Sequence, residues 1–314
     1  MTGQLSMFDN NGDRDKKKVM QIIDSIEINK DVPGVQLGDL IPNNALLELN
    51  KHYELSAINV SRILGNIRES TQTATPIARD ELGKQLGMTK AMAKGTISMM
   101  RELGLIDSKT HILPLGDLIL DYVPYFDDAG ILWLLHFILA SNARLVLWSN
   151  LFDMHLPENE YLSVQDISQR FQVLEGRWSS YSIRKKIPQE LNAIFKTYTN
   201  EFFTQLGIIE NYDGEYQIGW NTGVIPKWVW LSALLIFRDR YYPGASSLEI
   251  RLIAQSHYSP GRIFRVNESN VRKALDELHN ADLLTVETRS GLDQVRFKRE
   301  ITWLSAITEY LQGA

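Results

Sequence analysis

Three groups of positive side chains carry the chemistry that this sequence offers. In RDELGKQLGMTKAMAKGTISMMRELGLI (79–106), Lys90, Lys94 and Arg101 recur at helical spacing. At about 100° per residue they fall within roughly 40° of one another. In RWSSYSIRKKIPQELNAIFK (177–196), Arg177, Arg184, Lys185, Lys186 and Lys196 face one acid, Glu190, with Trp178 and Tyr181 interleaved. Downstream, the loop SPGRIFRVN adds Arg262 and Arg265, and the next helix adds Arg272 and Lys273. Cations on one helix flank suit contact with a phosphate backbone, and interleaved aromatics can stack on bases. A solvated helix face, or a surface loop with its aromatics tucked beneath, has the same pattern.

Hydrolytic chemistry is harder to place. Cutting a phosphodiester needs a base to activate water, or Mg²⁺ held by carboxylates. No carboxylate pair with a lysine two residues on, and no histidine–asparagine pair, stands out. His111, His155, His257 and His279 are isolated among polar neighbours and are expected at the surface. His136 with Asp121, Asp127 and Asp128 lacks metal-ligand spacing, so a hydrogen-bonded core histidine and helix-capping carboxylates are expected instead. No glycine-rich phosphate loop is present, so no ATP hydrolysis by this chain is expected. The catalytic residues stay unassigned, no metal site is expected, and Mg²⁺ enters only if the chain nicks DNA.

The elements that must position these residues are mainly helical. At 314 residues, with 44% hydrophobic and 23% charged content, the chain has room for two or three compact units. A formal net charge of −5 means that any DNA contact depends on local patches rather than on overall basicity. There is no cysteine, and the apolar run Ile131–Ala140 is short of the roughly 20 residues that cross a bilayer. With a polar N-terminus that lacks the apolar core of a signal peptide, this predicts a soluble cytoplasmic protein without membrane contact.

In order, 1–18 is expected to be a disordered tail and 19–75 a helical region, with a short apolar helix or strand at Val19–Ile28 and a longer helix over Leu46–Arg68. Segment 76–153 holds a helix–turn–helix that starts at Pro76, turns at Gly87, is capped by Thr89 and stops at Gly104. Two buried helices follow, the first capped by Asp127 or Asp128 and the second, Ala143–Phe152, by Asn142. Segment 154–225 brings a helix opened by Ser163, the basic stretch, a helix from Pro188 and a hairpin about Asp213-Gly214. Segment 226–314 has a buried helix begun by Pro226, a helix from Ser246 or Ser247 to about His257, and a helix capped by Asn267. A hairpin about Ser290-Gly291 and a last helix, Ile301–Leu311, complete it.

Three units therefore share an ending, RELGLID, TQLGIIE and HNADLLTVE. The expected fold is mainly α with small β wings: several winged-helix-like modules joined by buried apolar helices. Such modules serve nucleic-acid binding and protein assembly alike.

The blocks LGMTKAMAKGTISMMRELGLI, LPLGDLIL, PYFDDAGILWLLHFILASN and SPGRIFRVNES together resemble a bacterial domain-of-unknown-function family. That family is encoded in anti-phage clusters of the DNA phosphorothioation (Ssp) and BREX-like kinds. The similarity runs from about Glu81 to Lys298. It implies a partner of a cysteine desulfurase, an ATPase and a sulfur transferase in a defence complex, one that binds double-stranded DNA and nicks it where sulfur enters. Many members carry a His-Glu-Thr-Phe block, whose nearest counterpart here is His52-Tyr53-Glu54. A scaffold without DNA cleavage and a repressor of the gene cluster remain as alternatives.

Overall fold

The computed structural model describes residues 41–73, 83–155, 160–219, 221, 223–289 and 292–313. The expected tail, the Val19–Ile28 element and the Pro76 helix start lie outside these residues. Helices dominate, and the strands form two small antiparallel sheets of three strands each.

Two helices form the centre because they are apolar on every side. α4 (Ala129–Ala140) buries every residue from Gly130 onward, and α8 (Lys227–Tyr241) buries Val229–Phe237. A helix without a polar face must be surrounded by protein. The two pack on each other, and α12 (Trp303–Leu311) covers α8. Asp128 is the acid that caps α4, accepting the Ile131 N–H at 2.8 Å, and the Tyr310 hydroxyl of α12 donates to the same carboxylate. Gly130 permits that approach, since a Cβ there would lie 2.3 Å from the Tyr310 hydroxyl.

Ahead of this core come α1 (Ala57–Gln72), α2 (Lys90–Glu102) and α3 (Pro114–Tyr122). The expected helix over Leu46–Arg68 starts only at Ala57. Lys51 and His52 are left-handed, and the carboxylate of Glu190 takes the N–H groups of Leu49, Asn50 and His52, so long-range acceptors replace a helical ladder. Arg68 of α1 pairs with Asp117 and Asp121 of α3. After α4, Asn142 caps a turn rather than a helix, and α5 (Val146–Asn150) begins later and runs into a π-helical turn, Leu151–His155.

Two units then repeat one chain order. In the first, β1 (Leu162–Ser163), α6 (Val164–Gln169) and α7 (Ile187–Thr199) precede the hairpin β2 (Ile209–Tyr212) and β3 (Glu215–Ile218). In the second, β4 (Ser247–Glu249), α9 (Ile250–Gln255), α10 (Pro260–Ile263) and α11 (Glu268–Asn280) precede β5 (Leu284–Arg289) and β6 (Leu292–Phe297). In both sheets the last strand lies in the middle, in the orders β1-β3-β2 and β4-β6-β5. The expected helix from Ser246 or Ser247 is thus a strand first, because Leu248 pairs with Val295 in the sheet core. Asp213 and Gly214 both have positive φ, as a two-residue hairpin turn requires.

The shared endings have one backbone cause. Gly104 at φ 72 and Asp282 at φ 57 leave their helices in the left-handed region. Leu105 N–H then bonds the Met100 carbonyl, and Leu283 N–H bonds the Leu278 carbonyl, both at 2.9 Å. This closing motif sends the chain straight into its next extended segment. After Gly104 that segment is only the bridge Ile106–Ile112, among the described residues.

Candidate functional site

The turn ahead of α2 is built on two glycines. A Cβ on Gly83 would sit 2.8 Å from the Ala93 Cβ, so the chain before the turn packs directly on α2. Gly87, at φ 70, turns the chain, with Met88 N–H on the Gly83 carbonyl and Gly87 N–H on the Lys84 carbonyl. Thr89 caps α2 by accepting the Met92 N–H at 3.2 Å. Ala93, Thr96, Ile97 and Met100 are buried, which leaves Lys90 and Lys94 exposed on the outer flank beside Lys84 and Gln85. Arg101 points elsewhere: its Nε donates to the Asp107 carbonyl at 3.3 Å and braces the turn after α2.

The basic stretch divides in two. Arg184 and Lys185 are exposed on a π-helical turn (Ser182–Lys186) that leads into α7, with no ion-pair partner among the described residues. Lys186 instead binds Glu48 at 2.6 Å. Arg177 donates to the carbonyls of Ile41 and Pro42 and lies over the Trp178 ring, so it fastens that segment rather than presenting its charge. Tyr181 remains exposed.

In the second repeated unit Lys273 is exposed, while Arg272 is paired with Asp293 of β6. Arg265 is buried and left-handed at φ 55, where it ends α10. The predicted cations therefore separate by role. Lys90, Lys94, Arg184, Lys185 and Lys273 are presented to solvent, whereas Arg101, Arg177, Lys186, Arg262 and Arg272 hold the fold.

Arg262 belongs to a centre that the sequence hid. Asp153, on the π-helical turn after α5, is fully buried and accepts from three groups. These are His257 Nδ1 at 2.6 Å, Tyr258 N–H at 3.0 Å and Arg262 Nε at 3.1 Å. The sequence predicts an isolated surface residue at His257; its ring is part-exposed, yet its inner nitrogen is bound to this carboxylate. The partners are 104 residues apart in sequence, so no local spacing could reveal them. The available signal was the lone acid in the apolar run LVLWSNLFDM.

His136 behaves as a core histidine. The Tyr198 hydroxyl lies 2.6 Å from Nδ1 and the Ile263 carbonyl 3.1 Å from Nε2, which joins α4, α7 and α10. A carbonyl only accepts, so Nε2 carries the proton and Nδ1 accepts from Tyr198. Burial lowers the imidazole pKa to about 4. Among the described residues, no group of three or more His, Asp and Glu side chains is arranged to hold a metal ion. No helix there is long and apolar enough to cross a membrane.

Fold and sites define a mainly helical protein with two small antiparallel sheets of three strands each. The chain belongs to the family described as "Protein of unknown function (DUF4007)", which matches residues 66–312. Its fold is similar to that of "Magnesium ion-bound SspB crystal structure", with TM-score 0.69, 18% identity, and 89% of this chain and 91% of that one covered. It is also similar to "SspB crystal structure", with TM-score 0.65, 17% identity, and coverage of 85% and 89%. No curated protein matches the chain.

Proposed function

We propose that this protein is a DNA-binding component of a bacterial DNA phosphorothioation defence system and that it nicks one strand of the duplex. The observation that carries the reading is α2, which follows the tight turn at Gly87 with its apolar flank buried and its Lys90 and Lys94 exposed. A helix held in this way can enter a major groove and set lysines against phosphates. Each of the two units sets a strand and then helices ahead of a hairpin, the order of a winged helix, and the solvent-facing Arg184 and Lys185 add further positive charge. The place in a phosphorothioation system draws on the resemblance of the sequence blocks and on the fold shared with SspB.

Among the described residues, no group of three or more acidic or histidine side chains is arranged to hold a magnesium ion such as that neighbour carries. The test is fluorescence anisotropy with a labelled duplex. The wild type is expected to bind, and the K90E/K94E double variant to lose at least tenfold in affinity. Equal affinity would remove this helix from the interface.

A second reading, a scaffold for partner proteins, has its own observation. The β2–β3 hairpin exposes Glu210, Asp213 and Glu215, a surface that repels DNA and suits a basic protein partner. The two readings assign different faces of one molecule.

A further inference from the structure

The Asp153 centre has the construction of a catalytic site rather than of an ordinary ion pair. Its carboxylate sits on a π-helical turn, an irregularity that costs helical hydrogen bonds and that recurs at functional sites. Opposite it, Tyr258 holds a φ of 61°, a left-handed backbone that is costly for an aromatic residue. That turn brings the His257 ring and the Tyr258 N–H onto one carboxylate, and the Tyr258 hydroxyl also donates to Asn150. Gly261 lets the same loop close on α9, since a Cβ there would lie 2.4 Å from the Ala254 carbonyl.

Arg262 balances the buried charge and also donates to the Asp153 main-chain carbonyl at 2.6 Å. With Arg262 so engaged, the group left for chemistry is His257. The ring passes from the buried carboxylate toward solvent, its side chain 30% exposed. Asp153 accepts at Nδ1 and thereby fixes the proton there, which leaves the lone pair on Nε2 across the ring, with no partner among the described residues. His257 also lies in the turn between α9 and α10, two residues after Gln255, whose side chain bonds Glu268 in the first turn of α11. In a helix–turn–helix this corner lies near the phosphate backbone.

We propose that His257 is a general base for hydrolysis of a DNA phosphodiester, with Asp153 as its positioning residue. The proposal rests on the reading that the chain holds DNA. Nε2 takes a proton from a water molecule as the water oxygen bonds to phosphorus. The P–O3′ bond breaks, its electron pair leaves on the 3′ oxygen, and that oxygen takes a proton from solvent. One water is consumed, a 5′-phosphate and a 3′-hydroxyl result, and His257 returns its proton to solvent.

The experiment incubates the full chain with supercoiled plasmid in buffer containing Mg²⁺ and measures duplex affinity in parallel. The wild type is expected to yield open circles. H257Q is expected to slow their formation by roughly 100-fold or more while affinity changes less than about twofold. D153N is expected to slow nicking as well. In long-range ¹H–¹⁵N spectra it should also cost His257 its Nδ1–H tautomer, a signature that a merely structural acid would not move. Binding without open circles from the wild type, or nicking by H257Q at the wild-type rate, overturns the general base and leaves DNA binding intact. Loss of both binding and nicking in the wild type overturns the functional reading itself.

Discussion

Glu190 and Asn50 are 140 residues apart in sequence, and the buried carboxylate of one receives the backbone N–H of the other at 2.9 Å. The same carboxylate takes Leu49 N–H at 2.6 Å and His52 N–H at 3.2 Å, so one side chain of α7 replaces a turn of secondary structure for this segment. Burial pushes the Glu190 carboxyl above its ordinary value, against the pull of the N–H donors and His52. Glu190→Gln keeps one acceptor oxygen but sets an amide N–H₂ against backbone donors. Loss of about 1–3 kcal/mol is expected, the cost of unsatisfied buried groups. Urea unfolding measures it, and hydrogen exchange at Leu49, Asn50 and His52 should accelerate. An unchanged midpoint would show that the carboxylate does not hold this segment.

Asn50 is held from its other side by α2. A Cβ on Gly95 of α2 would lie 2.4 Å from the Asn50 carbonyl oxygen. Gly95→Ala should add roughly 0.5–1 kcal/mol of helix preference. Against this, pushing apart packed backbone costs typically 1–3 kcal/mol, so the clash wins. A lower thermal midpoint is the expected result for G95A, and a higher one would refute the close packing.

His136 sets a pH dependence of known sign. Its folded pKa is about 4 because burial disfavours the cation, whereas an unfolded histidine titrates near 6.5. Above pH ~6.5 neither state is protonated and this group leaves stability level. As pH falls from ~6.5 to ~4 the unfolded state takes the proton first, so stability drops by about 3 kcal/mol in all. The comparison of wild type with H136Q by urea unfolding at several pH values isolates this share. Parallel curves would contradict it.

Much of this fold was legible because helix ends are local. Thr89, Asp128, Ser163 and Asn267 cap helices through bonds to residues three positions on. The repeated endings follow from single left-handed residues such as Gly104. What escaped depends on distant partners. Segment Leu46–Ser56 has helical spacing of apolar residues, yet Glu190 and Thr197 take its N–H groups. A three-residue strand such as Ser247–Glu249 is too short to show a period, and its partner is β6. The cationic site was half legible: spacing put Lys90 and Lys94 on an outer flank, but it could not separate the exposed Arg184 from Lys186, which Glu48 engages. His257 looked isolated for the same reason.

The ion pairs permit a control on the basic surface. Arg272 is engaged by Asp293, so R272Q should cost at most about 1 kcal/mol of stability, as exposed pairs do, and leave DNA affinity within about twofold. R184E/K185E, on residues presented to solvent, should weaken duplex binding irrespective of sequence. Competition binding with two unrelated duplexes compares them. An effect of R272Q equal to that of R184E/K185E would mean that the assignment of roles is mistaken.

The most direct test of the whole account is the salt dependence of duplex binding by the wild type and K90E/K94E between ~50 and ~200 mM salt. If α2 sets these lysines against phosphates, wild-type affinity falls steeply, and the variant's log–log slope is shallower by roughly one unit for each phosphate that a lysine no longer neutralises. Identical slopes, or wild-type binding indifferent to salt, would contradict DNA recognition by this helix.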